Sequence, residues 1–129
     1  MANTILIADA FPMMRRVIER SLRLAGLDAG QVLEASDGTE ALALARQRKL
    51  DLVLTDVNLT GMTGMELLRQ MRQSEGEENK ALREVPVVII SSQAAEEQVL
   101  EALSLGAHGY IRKPFTAEQI KEYIAPLLA

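Results

Sequence analysis

Cysteine is absent from this chain, and with it go disulfides, thiolate metal sites and cysteine nucleophiles. Tryptophan is absent too, and aromatic residues make up only 3% of the sequence. The core must therefore be aliphatic, and ring-stacking surfaces for a flavin or a base are scarce. No G-x-G-x-x-G or P-loop sequence follows the first apolar run, which weighs further against nucleotide or flavin binding. The single histidine, His108, has no base or metal partner beside it and reads as structural. No apolar stretch approaches bilayer length, so no membrane insertion is expected. The opening Met1-Ala2-Asn3-Thr4 lacks the basic n-region of a signal peptide. Together with the missing cysteine, that suits a cytoplasmic protein. A formal net charge of −4 argues against direct nucleic-acid binding.

What the chain does have is an ordinary globular make-up, 48% hydrophobic and 25% charged over 129 residues. That is enough for one domain with a real core, residues 1–129, and too little for two. Strand-like runs at 4–8, 31–35, 51–55, 86–90 and 108–112 alternate with helix-like stretches. The alternation predicts an α/β fold with a parallel sheet covered by helices on both faces. Most of the runs are near-continuous Val, Ile and Leu, as expected when both faces are buried. The second, Val32-Leu33-Glu34-Ala35, is weaker and reads as an edge.

Local signals place the helices. Pro12 suits a first helical position, and Met14, Val17, Ile18, Leu22 and Ala25 keep a helical stripe until Gly26. Asp37 with Glu40, Thr63 with Glu66 and Thr116 with Gln119 have capping-box spacing or its Asp analogue. Leu67, Leu68 and Met71 face inward from the third helix. Val99, Leu100 and Leu103 do so from the fourth, and Ile120, Tyr123, Ile124, Leu127 and Leu128 share one side of the last. Pro126 predicts fraying or a kink near its end. Residues 73–84 are polar and read as a solvated loop. Arg15, Arg16, Arg20 and Arg23 gather early, while Glu96, Glu97 and Glu101 gather late; both clusters read as solvated helix faces.

The chemistry sits at the strand ends. The first run ends in Asp9, the third in Asp56, the fourth in Ser91-Ser92 and the fifth in Lys113-Pro114. In a parallel sheet these ends share one edge, where open α/β folds place their ligands. Two carboxylates, a hydroxyl and an ammonium at one spot can hold a divalent cation and a phosphoryl group together. Asp56 is the candidate nucleophile, a carboxylate able to form an acyl phosphate. Asp9 and Asp56 are candidate ligands for Mg²⁺, which prefers oxygen and keeps several waters. Lys113 supplies a compact positive charge to a phosphoryl oxygen. Taken singly, each has a plainer role: Asp as a turn former, Ser91 as the fourth helix's N-cap, Lys-Pro as a turn.

Taken together, Asp9, Asp56-x-Asn58, Ser91 and Lys113-Pro114-Phe115 resemble, in order and spacing, the receiver domain of bacterial two-component response regulators. The resemblance spans nearly the whole chain. It implies a flavodoxin-like fold: a five-stranded parallel sheet in the order 2-1-3-4-5 with five helices. A histidine kinase or histidine phosphotransfer protein would pass a phosphoryl group to Asp56. Mg²⁺ would sit on Asp9, Asp56 and the backbone carbonyl of Asn58. Ser91 would bind a second phosphoryl oxygen, and Tyr110 is the switch aromatic that moves inward when that hydroxyl is engaged. The resemblance also implies a cis Lys113–Pro114 bond, whereas an X-Pro bond by itself is more often trans. Gly64 matches the loop entry to the third helix, and Asn58 and Gln93 match positions that tune phosphoryl lifetime.

The implied output is protein–protein contact with a downstream partner, as in chemotaxis-type stand-alone receivers, from the face of the fourth helix, fifth strand and fifth helix. Such a protein is no enzyme beyond assisting its own phosphorylation and dephosphorylation. A monomer or weak dimer is expected. Phe11, Met13 and Met14 flank the site's entrance beside Arg15 and Arg16, where a kinase's phosphohistidine domain would dock; core packing is the alternative for at least one methionine. Two departures stand out. Ala10 occupies the place of the family's second acid, so Mg²⁺ binding is expected to be weakened, and Thr60 replaces a loop proline, which predicts a looser loop. The alternative reading is a phosphorylation-independent interaction module with a degraded metal site.

Overall fold

Three apolar runs, the first, third and fourth, become the buried heart of a five-stranded parallel sheet, and the weaker second run and the fifth become its two edges. A computed structural model describes residues 3–128; Met1 and Ala2 of the opening segment, and Ala129 at the far end of the expected domain, lie outside the described residues. The strands are β1 (Thr4–Ala8), β2 (Gln31–Ala35), β3 (Leu52–Thr55), β4 (Val87–Ser91) and β5 (Gly109–Arg112), in the order β2-β1-β3-β4-β5. The helices are α1 (Pro12–Leu24), α2 (Gly38–Gln47), α3 (Gly64–Gln73), α4 (Lys80–Glu84), α5 (Glu96–Ser104) and α6 (Ala117–Ile124), with 3₁₀ turns at Glu77–Asn79 and Ala125–Leu127.

Alternation along the strands sends side chains into two cores. Ile5 and Ile7 join Ile18 and Leu22 of α1 and Ile120 and Ile124 of α6 on one side. Leu6 and Ala8 join Leu67, Leu68 and Met71 of α3 on the other, under α2 to α5. Because both faces are covered, the three central strands are wholly apolar over residues 5–8, 52–54 and 87–90 and turn polar only at their C-terminal ends. The local signals resolve as expected at three N-termini. Asp37 and Thr63 accept from the backbone N–H of Glu40 and Glu66 at 2.7 and 3.2 Å. Thr116 and Gln119 close a reciprocal box, each side chain accepting from the other's backbone N–H. Pro126 ends α6 in a 3₁₀ turn.

Three expectations need correction. The polar stretch 73–84 is not a solvated loop: its second half folds into the 3₁₀ turn and α4, because Leu82 and Val85 are buried in the α2–α3 core. Arg83 holds the turn, donating to the carbonyls of Ser74 and Gly76 at 2.8 and 2.7 Å. The described residues therefore form six α-helices, not five. On α5 it is the small Ala102 that is buried, while Leu100 and Leu103 are 58% and 47% exposed and Val99 is half-buried. Val17 of α1 and Tyr123 of α6 also face solvent.

Arg72 ties the corner between α5 and β5 to α3. Its guanidinium donates to the Gly106 carbonyl at 3.1 and 2.9 Å and to the Arg83 carbonyl at 3.0 Å. His108 lies beside it, 3.4 Å from Nη2 to Nδ1. Partial desolvation of its largely exposed ring, and then the Arg72 charge, hold His108 below its ordinary 6.5. A pKa lowered by folding means that the unfolded chain binds the proton more tightly. The contribution to stability is therefore complete above about 6.5 and drains as pH falls through the lowered value. Urea midpoints compared at about pH 7 and about pH 5 should fall further for the native chain than for His108→Asn. Equal falls would remove His108 from the account.

Candidate functional site

The register of the parallel sheet brings the polar strand ends to one edge. Ala8 pairs with Thr55, Thr55 with Ile89, and Ser91 with Arg112. Asp9, Asp56, Ser91 and Lys113 therefore follow the last paired residues, or end them, along three central strands and β5. Asp9 and Ser91 are fully buried and Asp56 nearly so. Three groups meet directly. Lys113 Nζ lies 2.8 Å from Asp9 Oδ2 and 2.9 Å from Asp56 Oδ2. Two carboxylates and one ammonium leave this trio with one uncompensated negative charge. Burial opposes the Lys113 ammonium, but hydrogen bonds to Asp9 and Asp56 and their negative charges outweigh it, and its pKa is raised above the ordinary 10.5.

Backbone holds each carboxylate in place. Asp9 Oδ1 accepts from the Phe11 N–H at 2.9 Å, and Asp56 Oδ1 from the Asn58 N–H at 3.2 Å. The N–H groups of Asp9 and Asp56 donate to the carbonyls of Ala35 and Ala8, locking both to neighbouring strands. The peptide between Lys113 and Pro114 is cis, and the Lys113 N–H donates to the Ser91 carbonyl at 2.9 Å.

Ser91 is not a helix cap, since α5 begins after Ala95. Its Oγ accepts instead from the Gln93 N–H at 3.1 Å. The Tyr110 hydroxyl donates to the carbonyl of the same Gln93. Gln93 is thus gripped from both sides, a bridge from Ser91 to the half-buried Tyr110 that the sequence reading of Gln93 missed. Arg15 was misplaced in another way. It turns inward, donating to the Asp9 carbonyl at 2.6 Å and pairing with Glu34 at 2.8 Å. A basic residue one turn into α1 and an acid on adjacent β2 were the available signal. Of the entrance group, Phe11, Met13 and Arg16 are exposed, while Met14 packs against the α1–α6 core.

The loop after β3 is pinned at both ends by glycines. A Cβ on Gly64 would lie 2.1 Å from the Asp56 carbonyl oxygen, and one on Gly38 would lie 1.9 Å from that of Met62. Between them the Thr60 carbonyl accepts from the Gly38 and Met62 N–H groups at 3.2 and 2.7 Å.

The sequence profile of the response regulator receiver domain matches residues 5–125. This chain belongs to that family. It is 42% identical over 120 residues to the chemotaxis protein CheY of Pseudomonas aeruginosa, covering 93% of this chain and 91% of that one. CheY-3 of Vibrio cholerae is 42% identical over 118 residues, 92% of this chain and 85% of that protein. The solved structure of the V. cholerae chemotaxis response regulator CheY4 superposes with a TM-score of 0.83 at 27% identity, covering 99% and 100% of the two chains. The protein is a CheY-like receiver of the flavodoxin-like topology, and receivers are signalling modules rather than ordinary enzymes.

The donors at the site suit a hard cation in kind, being carboxylate and carbonyl oxygens. They are few in number. Among the described residues, no group of three or more Asp, Glu, His or Cys side chains gathers to hold a metal. Ala10, half-buried beside Asp9, presents a methyl and adds no side-chain oxygen ligand. No helix among the described residues is long and apolar enough to cross a membrane.

Proposed function

We propose that this chain, a single receiver domain over residues 1–129, accepts a phosphoryl group on Asp56. The observation that carries the reading is Lys113 Nζ, seated within 3 Å of both Asp9 Oδ2 (2.8 Å) and Asp56 Oδ2 (2.9 Å). A histidine kinase or histidine phosphotransfer protein is the donor. An Asp56 carboxylate oxygen bonds to phosphorus as the phosphorus–nitrogen bond of the phosphohistidine breaks, and the departing imidazole takes a proton. Such transfer demands positioning and charge neutralisation more than acid–base chemistry. The backbone bond from Asn58 orients Asp56. Lys113 supplies the positive charge next to the incoming phosphoryl, and the buried Ser91 hydroxyl serves a second oxygen.

Asp9, Asp56 and the Asn58 carbonyl would hold Mg²⁺. When bound, the ion supplies charge neutralisation for the phosphoryl oxygens. With Ala10 in place the affinity is weakened, because one carboxylate ligand and its charge are missing. Ala10→Asp is expected to lower the Mg²⁺ needed for half-maximal labelling by about tenfold, since ligand charge count sets such affinities. Titration with a small phosphodonor, followed by intact mass, checks this. A titration curve unchanged by Ala10→Asp removes Ala10 as the cause. A native chain that never labels, beside an Ala10→Asp chain that does, favours the second reading: an interaction module independent of phosphorylation, for which Ala10 is the specific observation.

The signal runs through Gln93. The Ser91 hydroxyl donates its proton to a phosphoryl oxygen while its Oγ still accepts from the Gln93 N–H, so a shift of Ser91 toward the phosphoryl group pulls on Gln93, whose carbonyl holds the Tyr110 hydroxyl. Phosphorylation biases the loop only so far as it stabilises one arrangement over the other. Tyr110 then turns inward, and the altered face of α5, β5 and α6, with Leu100 and Tyr123 exposed on it, is read by a downstream protein. The similarity to chemotaxis proteins supports a cytoplasmic, chemotaxis-like two-component role, with no direct nucleic-acid contact.

A further inference from the structure

Two helices carry exposed faces of the same make-up and opposite sign. Beyond Pro12, the exposed residues of α1 are Met13, Arg16, Val17, Arg20, Arg23 and Leu24. All are basic or apolar; the one acid of the helix, Glu19, is half-buried and paired to Arg23 at 3.1 Å. Met13 and Leu24 are 68% and 67% exposed, and Val17 41%. The exposed residues of α5 are Glu96, Glu97, Leu100, Glu101, Leu103 and Ser104. No base stands among them. Large apolar side chains turned outward within a charged rim mark an interaction surface rather than ordinary exposed surface.

We infer that a second copy of this chain occupies each face, α1 of one molecule docking on α5 of the next, so that self-association and the downstream protein exclude each other at Leu100. Arg16 and Arg20 meet Glu97 and Glu101, and Met13, Val17 and Leu24 cover Leu100 and Leu103. Complementary charge sets the register and rejects the wrong pairing, since α1 on α1 or α5 on α5 would juxtapose like charges. The two helices lie in opposite layers of the fold, α1 with α6 and α5 with α2 to α4, so one molecule cannot close the contact on itself. The association is heterologous, head to tail, and leaves a free face at each end. One helix face per partner is a small interface, so assembly is weak and concentration-dependent. It is also sensitive to salt, because its charges are exposed. The inference does not depend on phosphorylation of Asp56.

Sedimentation velocity of the full chain, up to about 1 mM, tests it. The weight-average sedimentation coefficient should rise with protein concentration at low salt and rise less at high salt. Arg16→Glu with Arg20→Glu, and separately Glu97→Arg with Glu101→Arg, should each weaken association at least about tenfold. All four side chains are exposed, and circular dichroism checks that the variants fold. An equimolar mixture of the two variants should recover association, because each supplies the face the other now needs. The chain carrying all four changes should recover it too. A native chain that stays monomeric at low salt overturns the inference. So does association that survives either reversal, or a mixture that fails to recover.

Discussion

Asp56→Asn is expected to take up no phosphoryl group under conditions in which the native chain takes up one, read as intact mass after incubation with a small phosphodonor and Mg²⁺. The amide keeps the size of the carboxylate but loses the anionic oxygen that bonds to phosphorus. Lys113 retains its bond to Asp9 at 2.8 Å, so the ammonium stays in the site and the fold has no reason to rearrange. A labelled Asp56→Asn chain would mean that another residue is the acceptor. Lys113→Met separates nucleophilicity from neutralisation. It leaves Asp56 able to attack but removes the positive charge beside it, and labelling should slow on the order of a hundredfold, the scale for losing one such preorganised group. Because that change leaves two buried carboxylates facing each other, its unfolding midpoint must be measured alongside. Slowed labelling in a chain that remains folded supports Lys113 as a member of the site.

The strand ends were legible because each is a local change from aliphatic to polar, and the sheet then brings them together by register alone. The order of the strands was legible only through the family resemblance, since periodicity does not say which strands are neighbours. The caps at Asp37, Thr63 and Thr116 were legible because both partners lie within one turn. What failed depended on distance. Leu82 and Val85 look stranded in a polar window until α2 and α3 cover them, and the Arg72 and Arg83 bonds that hold the segment reach across 11 and 9 residues. Helical spacing showed α5 to be amphipathic but not which side meets the sheet; its tight side is the small Ala102. The Arg15–Glu34 pair, and Gln93 held between Ser91 and Tyr110, join residues on different elements. No local pattern announces such pairs.

Gly64→Ala is expected to destabilise the fold by about 3 kcal/mol or more, the cost of forcing a group into a filled space where backbone must give way. The added carbon would stand 2.1 Å from the Asp56 carbonyl oxygen, 2.9 Å from the carbon of that carbonyl and 3.0 Å from Val57 Cα. None of these is a flexible side-chain end. Relief requires α3 to withdraw from β3, and the segment that moves is the one carrying Asp56. Gly26→Ala provides the contrast: its φ is +76° but nothing lies within 4 Å of the new carbon, so it should cost only the left-handed penalty, roughly 1 kcal/mol. Urea denaturation of the two variants measures the difference, and similar losses would mean that α3 shifts freely. Stability alone would not show that the site is disturbed. Leu82→Ala opens a cavity in the same core, far along the chain from Asp56, at a cost of about 2–5 kcal/mol. Under conditions where both variants remain folded, Leu82→Ala should label at near the native rate, while Gly64→Ala should label more slowly. Equal rates would separate the packing of Gly64 from the geometry of Asp56.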